Sequence, residues 1–181
     1  MAAWVGPAIV AAVISALVTA AGWYVGHRQD VRREAVKRLE RIRDVQTAIL
    51  AEIRANQYRL HGLDLEAHAA RIAAKMSADP AFAPFVPREV PAFVIDALIG
   101  EIHILPTEII DPVILYYRQI LAISQLADDL RSERFDKLEA SRKVELYNDY
   151  IELMIYARTL SNEAIEVITE SLAGGEVNSP A

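Results

Sequence analysis

No charged side chain occurs between Met1 and Gly26, and from Arg28 onward the chain is crowded with arginine. That boundary constrains the fold more than any other feature of the sequence. Trp4 to Val25 is 22 residues of mostly Ala, Val, Ile and Leu. As a helix this run is roughly 33 Å long, enough to cross a hydrocarbon core of about 30 Å. Trp4 at one end and Trp23 and Tyr24 at the other occupy positions where amphipathic rings favour the headgroup layer. Two other readings compete with a membrane anchor: a cleavable leader and a buried soluble helix. A leader carries its positive charge ahead of the apolar run, whereas here every Arg and Lys follows it. The sequence therefore predicts a single-pass anchor over 1–27. The positive-inside rule then places a short N-terminus outside and a cytoplasmic domain beneath an inner (plasma) membrane.

Within the span, Ala8, Ala12, Ala16 and Ala20 recur every four positions. Such small-residue faces let helix backbones approach closely in lipid, so this stripe is a candidate helix contact, although alanine is also common throughout the chain. Arg28 to Arg43 carries seven basic residues against three acidic ones. The whole chain is at −6, so the remainder is strongly acidic. The charge pattern thus describes a local basic collar and no general nucleic-acid surface. Arg28, Arg32 and Arg33, nearest the boundary, are placed to meet anionic headgroups, each gaining on the order of 1 kcal/mol there. Membrane lipid is the expected partner, and nucleic acid is not. The chain has no cysteine, which excludes disulfides, thiolate metal sites and cysteine nucleophiles.

After the collar, Ala35, Leu39, Ile42, Ile49, Ile53, Leu60 and Leu63, with Gln46 and Asn56 between them, follow a 4-3 alternation. This heptad seam predicts one long, coiled-coil-like helix over 28–76, with Gly62 a weak point. Gln46 and Asn56 are its polar, register-setting positions, filled either by a second copy or by a neighbouring helix of the same chain. A proline-rich connector over 77–91, with Phe82, Phe85 and Val86, is expected to strap onto the domain. Helices are then predicted at about 92–104 and 107–130. A last helix is expected to open at the Asp136/Glu139 pair and to end at Gly174 and Gly175, leaving a tail over 174–181. Residues 92–173 thus supply the remaining helices of an all-α fold. In it, the N-terminal transmembrane helix continues into an antiparallel three- to four-helix cytoplasmic bundle.

Site signals are sparse. His61, Asp64 and His68 fall within about 60° of one another on a helix at 100° per residue, a weak metal-like trio that lacks the spacing of known zinc motifs. A solvated helix edge explains the same residues. His103 stands without a positioned acid or nucleophile, and the many tyrosines are as readily core as pocket. No phosphate loop or nucleophile elbow occurs, so no catalytic residue and no cofactor are read from the sequence.

The stretches "LAEIRANQYRL" (Leu50 to Leu60) and "ILPTEIIDPVILYY" (Ile104 to Tyr117), 25 residues together, resemble a loose class of uncharacterised bacterial single-pass membrane proteins with a helical cytoplasmic domain. The resemblance implies membrane attachment and a helical domain, and brings no catalytic residues. The expected function is a membrane-anchored scaffold or accessory subunit acting through protein contacts in or under the membrane, as a homo-oligomer or within a larger membrane complex. The alternatives are an enzyme or small-ligand sensor with a pocket inside the bundle, near His103 and the tyrosines, and an oligomerising membrane effector.

Overall fold

The structure is a computed structural model that describes residues 5–60, 62–79, 81–87 and 93–177; side chains at 5–21, 25–26, 59–60, 93 and 175–177 lie outside that description. Most of the described residues are helical, with no strand among them. Six α-helices follow in order: α1 (Val5–Leu60), α2 (Leu65–Ala78), α3 (Phe93–Leu98), α4 (Thr107–Leu130), α5 (Glu133–Asp136) and α6 (Ala140–Val177). A 3-10 turn, Ile99–Ile104, separates α3 from α4. The chain divides into two compact units between Arg43 and Asp44.

The described residues of the first unit are all helix. Among the described residues no helix is long and apolar enough to cross a membrane. The span expected between Trp4 and Val25 falls on side chains that, apart from Gly22, Trp23 and Tyr24, lie outside the described residues.

The second unit is a bundle organised along α6. Its buried residues Tyr147, Tyr150, Ile151, Ala157, Leu160, Ala164 and Ile168 recur at three- and four-residue steps, the signature of a helix that buries one broad stripe. Helix α4 lies along that stripe. The lower part of α1 and then α2 run antiparallel to α6, as the partners show. Gln46 donates to Ser171 at 3.1 Å, Gln57 to Ser161 at 3.2 Å, Arg158 to the Leu63 carbonyl at 3.2 Å, and His68 meets Tyr147 at 3.0 Å. Numbers rise along one path as they fall along the other. The seam positions Gln46, Ile49 and Ile53 are accordingly buried by the chain's own helices, beside Ile109, Val113, Ala164 and Ile168.

The helix expected to reach Met76 is broken. It stops at Leu60, Gly62 adopts φ +82, and α2 begins afresh at Leu65 with Asp64 as N-cap, its carboxylate accepting from the Ala67 amide at 2.8 Å. A left-handed residue cannot continue a right-handed helix, and glycine takes that conformation without the Cβ penalty. The break divides the core in two. One cluster joins α1, α3, the start of α4 and the end of α6. The other joins α2, the end of α4, α5 and the start of α6.

Three further boundaries differ from the sequence expectations. Asp136 does not cap the last helix; it closes α5, which Ser132 caps by accepting from the Phe135 amide. Helix α6 opens at Ala140, with the Lys143 amide bonded to the Glu139 carbonyl. It also runs through Gly174 and Gly175 to Val177, since glycine inside a helix costs about 1 kcal/mol but does not forbid it. In the connector, Val86 is buried and Phe82 packs on the second cluster, while Phe85 is 90% exposed.

Candidate functional site

A cavity of about 290 Å³ lies at the break between α1 and α2. Its position follows from the local sequence. The antiparallel companion of α6 turns aside at residues 62–64, so between the two core clusters no continuous helix among the described residues fills the third position of the bundle. Asn56 enters from α1, Leu63 from the turn, and Leu65 and His68 from α2. Helix α4 contributes Tyr116, Ile120 and Ile123 to the wall; α6 contributes the stretch from Tyr147 to Ser161. Leu63 and Phe85, both exposed, stand with Pro87 at the rim. None of the lining residues is a carboxylate, a lysine or an arginine.

The polar groups of the wall are arranged with direction. Arg71 contacts His68 Nδ1 at 2.8 Å, and a guanidinium can only donate. Nδ1 therefore accepts, Nε2 of the neutral ring carries the proton, and it donates to Tyr147 Oη at 3.0 Å. That leaves the Tyr147 hydroxyl its own proton to give. Burial pushes the Tyr147 pKa above the ordinary 10.0, opposed by the nearby Arg71, so the hydroxyl is a neutral donor at physiological pH. Ser161 is occupied, donating to the Arg158 carbonyl at 2.8 Å and accepting from Gln57. Asn56 is half-buried, and among the described residues no hydrogen bond reaches its carboxamide. The arrangement can hold a hydrogen-bonding group; it contains no nucleophile with a base beside it.

A second polar hub lies beside the first core cluster, against which Tyr117 packs. The Glu52 carboxylate of α1 accepts from the amides of Val94 at 2.8 Å and Ile95 at 3.2 Å, and from Tyr117 Oη at 2.5 Å. It thereby caps α3 from another helix, satisfying N–H groups that a helix start leaves open. Burial, and then the hydrogen bond to Glu52, hold the Tyr117 hydroxyl far above the usual tyrosine range.

The residues singled out in the sequence are only partly brought together. Asp64 is an N-cap, His68 turns to Tyr147, and His61 lies outside the described residues. The helical face that would have grouped the three is interrupted at Gly62, and among the described residues no cluster of three His, Asp or Glu could hold a metal. His103 is exposed on the 3-10 turn and does not border the cavity. Gln46 and Asn56 occupy the same face of α1, the first bonded to Ser171 and the second at the cavity. At the collar, Trp23 stacks on His27 with ring centroids 5.5 Å apart, and Arg28 lies over the Tyr24 ring at 5.1 Å. Arg33 pairs with Asp30 at 4.0 Å, and Arg32 is exposed. Trp4 lies outside the described residues, as do the side chains of Ala8, Ala12, Ala16 and Ala20.

Sequence reasoning missed Glu52 and the His68–Tyr147 pair. Their partners lie 42 to 79 residues away, beyond any helical spacing. No protein-family model, curated protein or solved structure matches the chain.

Proposed function

We propose that the chain is a single-pass membrane protein whose helical bundle lies on the cytoplasmic side and acts as a scaffold or accessory subunit through protein contacts under the membrane. The observation that carries this reading is the unbroken helix α1, Val5–Leu60. It contains the uncharged segment, the basic collar and, from Asp44 onward, the seam buried inside the bundle, so the proposed anchor leads into the domain without an intervening loop. Trp23, 72% exposed, and Tyr24 are aromatics that a bilayer interface accommodates. Below them Val31, Val36 and Leu39 are also exposed. Val31 and Leu39, with Ala35 between them, recur at four-residue spacing, one helical strip. Arg32 beside the strip favours a partner bearing acidic residues.

Purification from native membranes in mild detergent, with identification of co-purifying chains, tests the reading. It expects extraction only with detergent and either a second copy or a defined partner. A chain released by alkaline carbonate alone, or an isolated monomer with an intact fold, overturns it.

A further inference from the structure

We propose that the cavity between α1, α2, α4 and α6 is a binding site for a small, neutral, mainly apolar molecule bearing one carbonyl or hydroxyl group, held by the Asn56 carboxamide and the Tyr147 hydroxyl. Three observations converge on this class. The volume, about 290 Å³, sits at the small end of ligand sites, roughly 300–1,000 Å³, which selects a compact molecule. The wall is largely Leu65, Ile120, Ile123, Ile151 and Met154, with no formal charge among the lining residues. An ion would therefore lose its hydration with no partner to replace it. Two polar groups remain to be used. Asn56 offers both a donor and an acceptor without a bond among the described residues. Tyr147 is fixed as a donor by the Arg71–His68 chain behind it. A hydrogen bond from a carbonyl or hydroxyl to this half-buried carboxamide contributes about 0.5–1.5 kcal/mol.

The entrance supports the assignment. Leu63, on the 62–64 turn, and Phe85, on the 81–87 segment, expose large apolar side chains at the rim, which suits the entry of an apolar molecule. The site is confined to the second unit, so it stands independently of the membrane reading.

The probes are benzamide and phenol, with benzoate and benzylamine as charged counterparts of similar size and toluene as the purely apolar one, each titrated into the full chain in detergent and followed by ligand-observed NMR. Benzamide and phenol bind, toluene binds more weakly, and the charged pair does not. Asn56→Leu weakens benzamide by about tenfold and leaves toluene within twofold, the effect of one neutral hydrogen bond. Met154→Trp, which fills the cavity, abolishes binding of all three. Leu63→Trp narrows the rim at an exposed position without touching the core, and slows or abolishes binding even if Met154→Trp does not fold. Absence of binding by every probe overturns the proposal. So does equal binding of benzoate and benzamide, or binding unchanged in Asn56→Leu and Leu63→Trp.

Discussion

Removing the Glu52 carboxylate perturbs three bonds that tie α1 to α3 and α4. In Glu52→Ala the amides of Val94 and Ile95 and the hydroxyl of Tyr117 lose their acceptor together. Hydrogen bonds to a charged group contribute about 1.5–3 kcal/mol each when buried. Glu52 is only half-buried, so water replaces part of the loss, and the expected destabilisation is about 2–4 kcal/mol. Tyr117→Phe removes one bond of the three and costs about 1–1.5 kcal/mol. The double variant loses less than the two single losses combined, with a coupling of about 1–2 kcal/mol, because the residues share one bond. Urea unfolding followed by far-ultraviolet dichroism in detergent gives the energies, and hydrogen exchange gives the location. Helix α3 has six residues, too few to persist alone against the cost of nucleation. Its amides should therefore lose protection in Glu52→Ala before those of α4 and α6 do. Unchanged protection over 93–98, or a destabilisation below about 0.5 kcal/mol, which is the ordinary range for surface substitutions, refutes the view of Glu52 as a cap supplied from another helix.

Gly62→Ala should destabilise the bundle by about 1–2 kcal/mol in the same unfolding assay, purely from its φ of +82, because nothing lies within 4 Å of an added Cβ. Asp64→Ala should cost about 1 kcal/mol as a lost N-cap and leave stability equally insensitive to added zinc, measured by melting with and without the ion. Tyr117 and Tyr147 have pKa values raised in the native state above the ordinary 10.0. Stability is therefore fully present below pH 10 and falls as pH rises beyond it, where the unfolded chain releases protons that the native one retains. Absorbance titration of tyrosinate should show part of the tyrosine signal rising only above pH 10 and together with unfolding, and Tyr117→Phe should flatten the alkaline loss.

The extent to which the sequence foretold this arrangement differs element by element. Helix α4, Thr107–Leu130, is legible from both its limits and its periodicity, and the helical character of every segment follows from apolar spacing. The break at Gly62 is harder, because Asn56, Leu60 and Leu63 continue the 4-3 alternation across it. The local signal was nonetheless present: a glycine followed two residues later by an aspartate is a helix stop followed by a helix start. Missing it also misplaced the site. His61, Asp64 and His68 share a face only on a helix that does not exist there, and the cavity that the break creates is bordered by Asn56, which the alternation had marked for register. Glu52 and Tyr147 could not be found in this way, since tertiary packing sets their partners.

Photo-crosslinking in native membranes tests the proposed function most directly. A photoreactive residue at Leu39 lies on the exposed apolar strip of α1, and one at Lys37, two positions and about 200° away, faces the other side. The account predicts a discrete protein adduct from Leu39, either a second copy or a single partner, and none from Lys37. Adducts in equal yield at both positions, or no protein adduct at Leu39, contradict it.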